Sequence, residues 1–241
     1  MEKTDQLWPG GYRFLFDDTL FQPGTDSFLL GAFAAAKRGD KVCDLGAGTG
    51  LLGLLLLARQ DQLHITNVEI QSAACQLAQR SAELNGLSDR ITCLQSDLRD
   101  SSRLPAAGSM DLVVSNPPYF AADSGAQAES SARCTARSEV SCTLEDIFTA
   151  AARLLRWGGR FCLVFRTERL AELLETARRH KLEPKRLRFV QNTPHSAPSL
   201  LLLECRRGGK TGLTVDAPLI MTQEDGSPSA ELDRIYFKDK R

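Results

Sequence analysis

Residues 115–119 read Ser-Asn-Pro-Pro-Tyr and follow the apolar run 110–114. Two consecutive prolines remove two backbone N–H groups, and Pro118 holds the residue before it in an extended conformation. The result is a rigid turn with free carbonyl oxygens, a carboxamide before it and an aromatic ring after it. That combination suits an exocyclic amine conjugated to a planar ring. Such a nitrogen is a poor nucleophile because its lone pair is delocalised. Two acceptors on its hydrogens favour a more pyramidal nitrogen and aim the lone pair at an electrophilic carbon. The Asn116 side-chain oxygen and the Pro117 carbonyl can be those acceptors, Pro118 keeps the turn stiff, and the Tyr119 ring can stack on the base. No strong general base is needed, since the proton leaves readily once the nitrogen is cationic, so positioning does most of the work. Asn116, Pro117, Pro118 and Tyr119 are therefore the candidate catalytic residues.

A second constellation lies upstream. Residues 44–50 read Asp-Leu-Gly-Ala-Gly-Thr-Gly, between a strand-like and a helix-like stretch. Glycines there let a ligand approach the backbone closely. The third glycine comes one residue earlier than in the nicotinamide fingerprint, and Asp44 precedes the first by two. An acid at that place would repel a pyrophosphate and suit a cation. S-adenosylmethionine, with a sulfonium and an ammonium and no phosphate, meets the description. Glu69 ends the next strand and can accept hydrogen bonds from both ribose hydroxyls; Asp97 follows the third strand and can accept from an adenine amino group. Asp44, Gly46, Gly48, Gly50, Glu69, Ile70, Asp97, Leu98 and Asn116 form the candidate cofactor set, at the strand ends where open α/β sheets bind ligands.

Alternating elements must deliver these residues. Strands are expected at 41–45, 63–70, 90–97, 110–116, 160–166, 186–191 and 199–206. Helices are expected after the glycine loop to about residue 59, and at 71–85, 143–157 and 167–181. Gly86 is a C-terminal stop, Thr143 an N-cap with Asp146 three residues on, and Gly158-Gly159 the end of the third of these helices. The alternation predicts an α/β fold with a mostly parallel sheet and helices on both faces. Residues 10–33, rich in aromatics, and 120–142, rich in Ser, Ala and Gly, do not fit the alternation. Trp8, Tyr12 and Phe14 can either stack on bases or pack the N-terminal stretch onto the sheet.

Composition bounds the class. With 241 residues, 42% hydrophobic and 25% charged, the chain suits one soluble domain with additions. The longest apolar run, 51–58, is far too short for a membrane span, and residues 1–11 lack the apolar core of a signal peptide, so cytoplasm is expected. Seven scattered cysteines without a C-x-x-C pair argue against a zinc site or a disulfide framework; Cys43, Cys93 and Cys162 read as small buried hydrophobes. The net charge is zero, yet residues 151–215 carry 14 Lys and Arg against 5 Asp and Glu. Such asymmetry suits either a polyanionic partner or an ordinary solvated surface.

The glycine loop followed by Asn-Pro-Pro-Tyr resembles the class I S-adenosylmethionine-dependent methyltransferases of the amino-methylating kind, over about residues 20–207. The resemblance implies S-adenosylmethionine as cofactor and a Rossmann-like, seven-stranded, mostly parallel sheet with one antiparallel strand. The tetrapeptide leaves adenine, guanine and protein glutamine open as targets. Residues 11–33, Gly-Tyr-Arg-Phe through Gln-Pro-Gly-Thr-Asp-Ser to Gly-Ala-Phe, are similar to the start of the bacterial tRNA1(Val) adenosine-37 N6-methyltransferase family. That similarity implies Gln22, Thr25 and Asp26 near the methionine end of the cofactor or the target base, and Arg133 and Arg137 facing RNA. The N-terminal stretch is less basic than is usual there, and residues 122–131 form a Ser/Ala-rich insertion. Arg13, Lys185, Arg186 and Arg188 are the further candidates for RNA phosphates. The implied partner is RNA, the tRNA anticodon region, acted on by a monomer without metal or membrane. The implied layout is an N-terminal segment 1–40 on the site, a methyltransferase domain 41–215 and a C-terminal extension 216–241.

Rivals differ in recognisable ways. A protein glutamine N5-methyltransferase resembles an enzyme with a separate helical N-terminal domain, whereas about forty residues precede the first strand here. Guanine-directed rRNA enzymes often carry a duplicated domain. A non-catalytic RNA-binding adaptor would show a lost Asn or a broken glycine loop, and a nicotinamide dehydrogenase a different glycine spacing.

Overall fold

The computed structural model describes residues 1–18, 20, 24–118 and 142–240. The chain opens with a hairpin, β1 (Glu2–Gln6) paired antiparallel with β2 (Arg13–Asp17), and then helix α1 (Thr25–Phe33). The alternation follows: β3 (Lys41–Leu45), α2 (Leu51–Arg59), β4 (His64–Glu69), α3 (Ser72–Leu84), β5 (Ile91–Gln95) and β6 (Met110–Ser115). After the segment outside the described residues come α4 (Leu144–Leu154), β7 (Leu155–Arg166), α5 (Leu170–Arg179), β8 (Leu182–Gln191) and β9 (Leu200–Arg207). Two short strands, β10 (Thr214–Val215) and β11 (Leu219–Ile220), and helix α6 (Ala230–Ile235) complete it.

The main sheet runs β10-β8-β9-β7-β6-β3-β4-β5, with β11 also on β8. Strand β9 is antiparallel to both β7 and β8, and every other pairing in this sheet is parallel. The class matches the expectation, but the sheet has nine strands rather than seven, because β10 and β11 each add two residues to the outer edge of β8.

Side chains alternate across the sheet, as the pleat requires. Val42, Leu112, Val114, Cys162, Val164 and Leu202 face a core shared with α1 and α2. Cys43, Leu45, Val113, Phe161, Leu163 and Leu203 face a core shared with α4 and α5. Helix α2 is only nine residues long, too short to hold itself in water. Every residue from Leu51 to Leu57 is buried, and each such leucine contributes about 2 kcal/mol. Packing, not propensity, therefore fixes the helix that follows the glycine loop. Cys43 and Cys162 are fully buried as expected, while Cys93 is only partly buried; Cys205 is fully buried as well, and burial pushes all four thiols up.

Thr143 caps α4 with a full capping box: its hydroxyl oxygen accepts from the Asp146 N–H, and the Asp146 carboxylate accepts from the Thr143 N–H. The helix ends at Leu154, not at residue 157. Leu155 pairs with Met110 and Arg160 with Leu112, so the residues between them bulge out of β7, helped by Gly158 at φ +78°. Sheet pairing claims these residues before the helix can.

Candidate active site

Register brings the candidate residues to one edge. Asp44 of β3 lies opposite Val114 of β6 and Asn67 of β4; Glu69 of β4 lies opposite Gln95 of β5. Asn116 and Asp97 each follow two residues beyond those levels. The carboxyl ends of four neighbouring strands thus meet, with the Asn-Pro-Pro turn beside the glycine loop. The buried Ser115 hydroxyl donates to the Leu45 carbonyl at 2.8 Å, tying the two strands together where they end.

The loop is bolted to β4. The N–H groups of Gly46 and Ala47 both donate to the Val68 carbonyl, at 2.9 and 3.0 Å. Gly46, Gly48 and Gly50 have φ of +75°, +53° and +78°, the left-handed region. At Gly50 a Cβ would stand 2.9 Å from both the Ala78 Cβ and the Asn67 Nδ2, so α3 packs against bare backbone. At Gly46 a Cβ would meet nothing within 4 Å. Gly50→Ala is therefore expected to destabilise the fold by about 1–3 kcal/mol, from backbone strain and the clash together. A denaturant titration reading less than about 0.5 kcal/mol would refute that packing argument.

The acids differ in their surroundings. Glu69 accepts the Gly48 N–H on one oxygen and the Gln71 N–H on the other, both at 2.8 Å. Each oxygen keeps a further lone pair for a ligand hydroxyl. Asp44 is 1% exposed, and its Oδ2 has no hydrogen-bond partner. Burial first, and the neighbouring Glu69 second, push its carboxyl up to about 8. Asp97 is gripped by Arg99 through its guanidinium and its backbone N–H, which holds its carboxyl below the usual 3.8. Ile70 is 41% exposed beside Glu69, and Leu98 lies partly buried against the α4 core.

The Asn116 carboxamide donates from Nδ2 to the Ser27 hydroxyl at 3.1 Å, which leaves its oxygen as the acceptor on the other side. Thr25, two residues before Ser27 in the same turn, accepts a hydrogen bond from the Tyr236 hydroxyl at 2.9 Å. Ser27 and Tyr236 escaped the sequence reading. Ser27 stands beside Thr25 and Asp26 in a segment already singled out, a signal that it shares their turn. Nothing local marks Tyr236. Gln22, Tyr119, Arg133 and Arg137 lie outside the described residues.

The basic candidates stand elsewhere and are largely engaged. Arg188 forms a two-pronged pair with Glu231, at 2.6 and 2.8 Å, and also donates to the Ala217 carbonyl. Arg186 lies over the Phe33 ring, donates to the Phe33 carbonyl and reaches Glu204. Lys185 donates to the carbonyls of Lys210 and Gly212. Sequence shows their charge; the fold spends it on holding β8 to α1 and to the strand-and-loop segment that follows β9. Arg13 sits at the end of α3, exchanging backbone hydrogen bonds with the Asn85 side chain.

The chain's own groups fit S-adenosylmethionine. A buried, unpartnered carboxylate oxygen asks for a cation, the glycine loop leaves open space at Gly46, and Glu69 offers acceptors at the next strand end. Among the described residues no three His, Cys, Asp or Glu side chains converge as metal ligands, and no helix is long and apolar enough to cross a membrane.

Comparison with known proteins points the same way. The sequence profile of the methyltransferase small domain matches residues 15–183. A tRNA1(Val) (adenine(37)-N6)-methyltransferase of Porphyromonas gingivalis is 36% identical over 202 residues, covering 80% of this chain and 78% of its own. One from Yersinia pseudotuberculosis is 31% identical over 237 residues, covering 96% and 92%. Among solved structures, a protein of Agrobacterium tumefaciens described as a predicted O-methyltransferase superposes with a TM-score of 0.71 at 23% identity, over 88% of this chain and 95% of that one. The last likeness bears on the fold alone.

Proposed function

The chain belongs to the methyltransferase small domain family, among the tRNA1(Val) (adenine(37)-N6)-methyltransferases, and on that premise we propose how its residues act. It is an S-adenosylmethionine-dependent methyltransferase that acts on N6 of an adenine in RNA. The finer reading is adenosine 37 in the anticodon region of tRNA1(Val), modified by a monomer in the cytoplasm. The observation that carries the mechanism is the Asn116 carboxamide, tied through Nδ2 to Ser27 with its oxygen left to accept.

The target base must first leave its stack, which single-stranded loop RNA allows most cheaply. Asn116 Oδ1 and the Pro117 carbonyl then accept the two N6 hydrogens and turn the lone pair outward. Tyr119 stacks on the ring. When bound, S-adenosylmethionine supplies an electrophilic methyl carbon on a sulfonium sulfur. On transfer N6 would bond to that carbon while the carbon–sulfur bond broke and the electron pair stayed on sulfur, with Asp44 and Glu69 holding the donor in place. The nitrogen becomes cationic, and the two acceptor oxygens stabilise that developing charge before its proton passes to water. Asp44 and Glu69 hold the donor, Asp44 taking a cationic group and Glu69 the ribose hydroxyls.

The test is methyl transfer from labelled S-adenosylmethionine to total bacterial tRNA, rRNA and protein, followed by nucleoside analysis. N6-methyladenosine in the tRNA fraction is expected. Label in protein or in guanosine would overturn the substrate while leaving the donor and the fold in place.

A further inference from the structure

We propose that Tyr236 is a positioning residue for methyl transfer: it fixes the first turn of α1, whose Ser27 sets the orientation of the Asn116 carboxamide. The inference rests on the reading of Asn116 given above.

Helix α1 begins behind a glycine. Gly24 occupies the cap position and makes no side-chain hydrogen bond. Glycine offers no side chain to fix that turn, so its position is open to contacts from outside. Tyr236 supplies the hold. Its hydroxyl donates to Thr25 Oγ1 at 2.9 Å, and its ring stacks on Phe28 with centroids 4.4 Å apart and planes 14° from parallel. The ring thus grips the first turn on both sides of Ser27.

Tyr236 is itself anchored. Arg59 of α2 donates to the Ile235 carbonyl at 2.7 Å and lies 4.3 Å from the Phe237 ring centroid. The Phe237 ring meets Trp8 of the N-terminal hairpin turn at 5.0 Å. The Ser229 hydroxyl caps α6 by accepting the Leu232 N–H. This segment is a brace running from α2 and the hairpin to the start of α1.

Ser27 passes the support on. It is 5% exposed, and its hydroxyl accepts the Asn116 Nδ2–H at 3.1 Å. A carboxamide is nearly symmetric in shape, so without that acceptor its nitrogen and oxygen can exchange places. The exchanged amide would present a donor to the amine hydrogens and block attack. A shift of the α1 turn would loosen the same contact, and small misplacements of such groups are costly to rate.

Tyr236→Phe keeps the stack and removes only the hydroxyl. With the RNA substrate it is expected to lower kcat about fivefold while the affinity for S-adenosylmethionine stays within about twofold. Ser27→Ala is expected to lower kcat about tenfold in the same pattern. Because both act through one contact, the double variant should be no slower than Ser27→Ala alone. Full turnover in Tyr236→Phe, losses that multiply in the double variant, or donor affinity falling in step with kcat would each overturn the proposal. A second readout does not depend on turnover: both substitutions should move the Asn116 side-chain amide resonances in nitrogen-resolved NMR. Unmoved resonances overturn the proposal too. Wild-type protein that methylates no RNA adenine would instead sink the functional reading, and the NMR comparison would still decide this one.

Discussion

Asn116→Ala is expected to lower kcat by about 10²–10³-fold with little change in S-adenosylmethionine affinity. The carboxamide follows directly on the end of β6, and Ser27 already occupies its nitrogen. Removing it leaves the target amine with the Pro117 carbonyl alone. The nitrogen then stays closer to planar, and the charge that grows on it during transfer meets one dipole instead of two. Both effects appear only as the transition state forms, so they belong in kcat rather than in binding. Single-turnover methylation with saturating RNA, beside calorimetric titration of the donor, separates the two. Turnover within a few-fold of wild type would remove Asn116 from the mechanism.

Asp44→Asn should do the opposite to the donor and something unexpected to the fold. The carboxylate is buried, its Oδ2 lacks a partner, and its carboxyl is raised to about 8 by burial and by Glu69. In the unfolded chain the same group ionises near 3.8. Between those two values the folded protein holds a proton that the unfolded chain has released. Stability therefore falls as pH rises across that window, by up to about 1.4 kcal/mol per pH unit, and levels off above about 8. An asparagine cannot ionise and escapes the loss. The ligand-free variant should melt higher than wild type at pH 7, and the gap should be small near pH 4 and widen toward pH 8. Donor affinity should fall at least about 30-fold, since a cationic ligand loses its buried counter-charge. A melting gap independent of pH would show that Asp44 is not held protonated. Unchanged donor affinity would remove it from the cofactor site. Stability given up at a binding carboxylate is a familiar exchange in functional sites.

Much of this was legible in the residues because its causes are local. A glycine loop between a strand and a helix, an acid at the end of each of three strands, and Thr143 three residues before Asp146 each carry their reason within a few positions. The end of α4 was not legible, because the bulge at 156–159 exists only where β7 pairs with Met110 and Leu112. The N-terminal hairpin was missed although Pro9-Gly10-Gly11 marks a turn, because β1 reads Glu-Lys-Thr-Asp-Gln, wholly exposed and without apolar alternation. The fate of Arg186 and Arg188 was hidden for a different reason. A guanidinium reads as positive charge in any sequence, but whether it faces a nucleic acid or Glu231 depends on partners brought in by folding. Ser27 and Asn116 are 89 residues apart, and Thr25 and Tyr236 are 211 apart, so no window along the chain contains either pair.

That last separation orders events during synthesis. During synthesis the N-terminal residues leave the ribosome first, and a domain folds as a unit once enough of it has emerged. Helix α1 emerges early, yet the ring that steadies its first turn is translated 211 residues later. The contact cannot form until that C-terminal segment has been made. A nascent chain can therefore assemble its sheet and glycine loop well before its amine-orienting group is locked. On the reading proposed above, competence for transfer waits on the docking of the C-terminal segment that carries Tyr236.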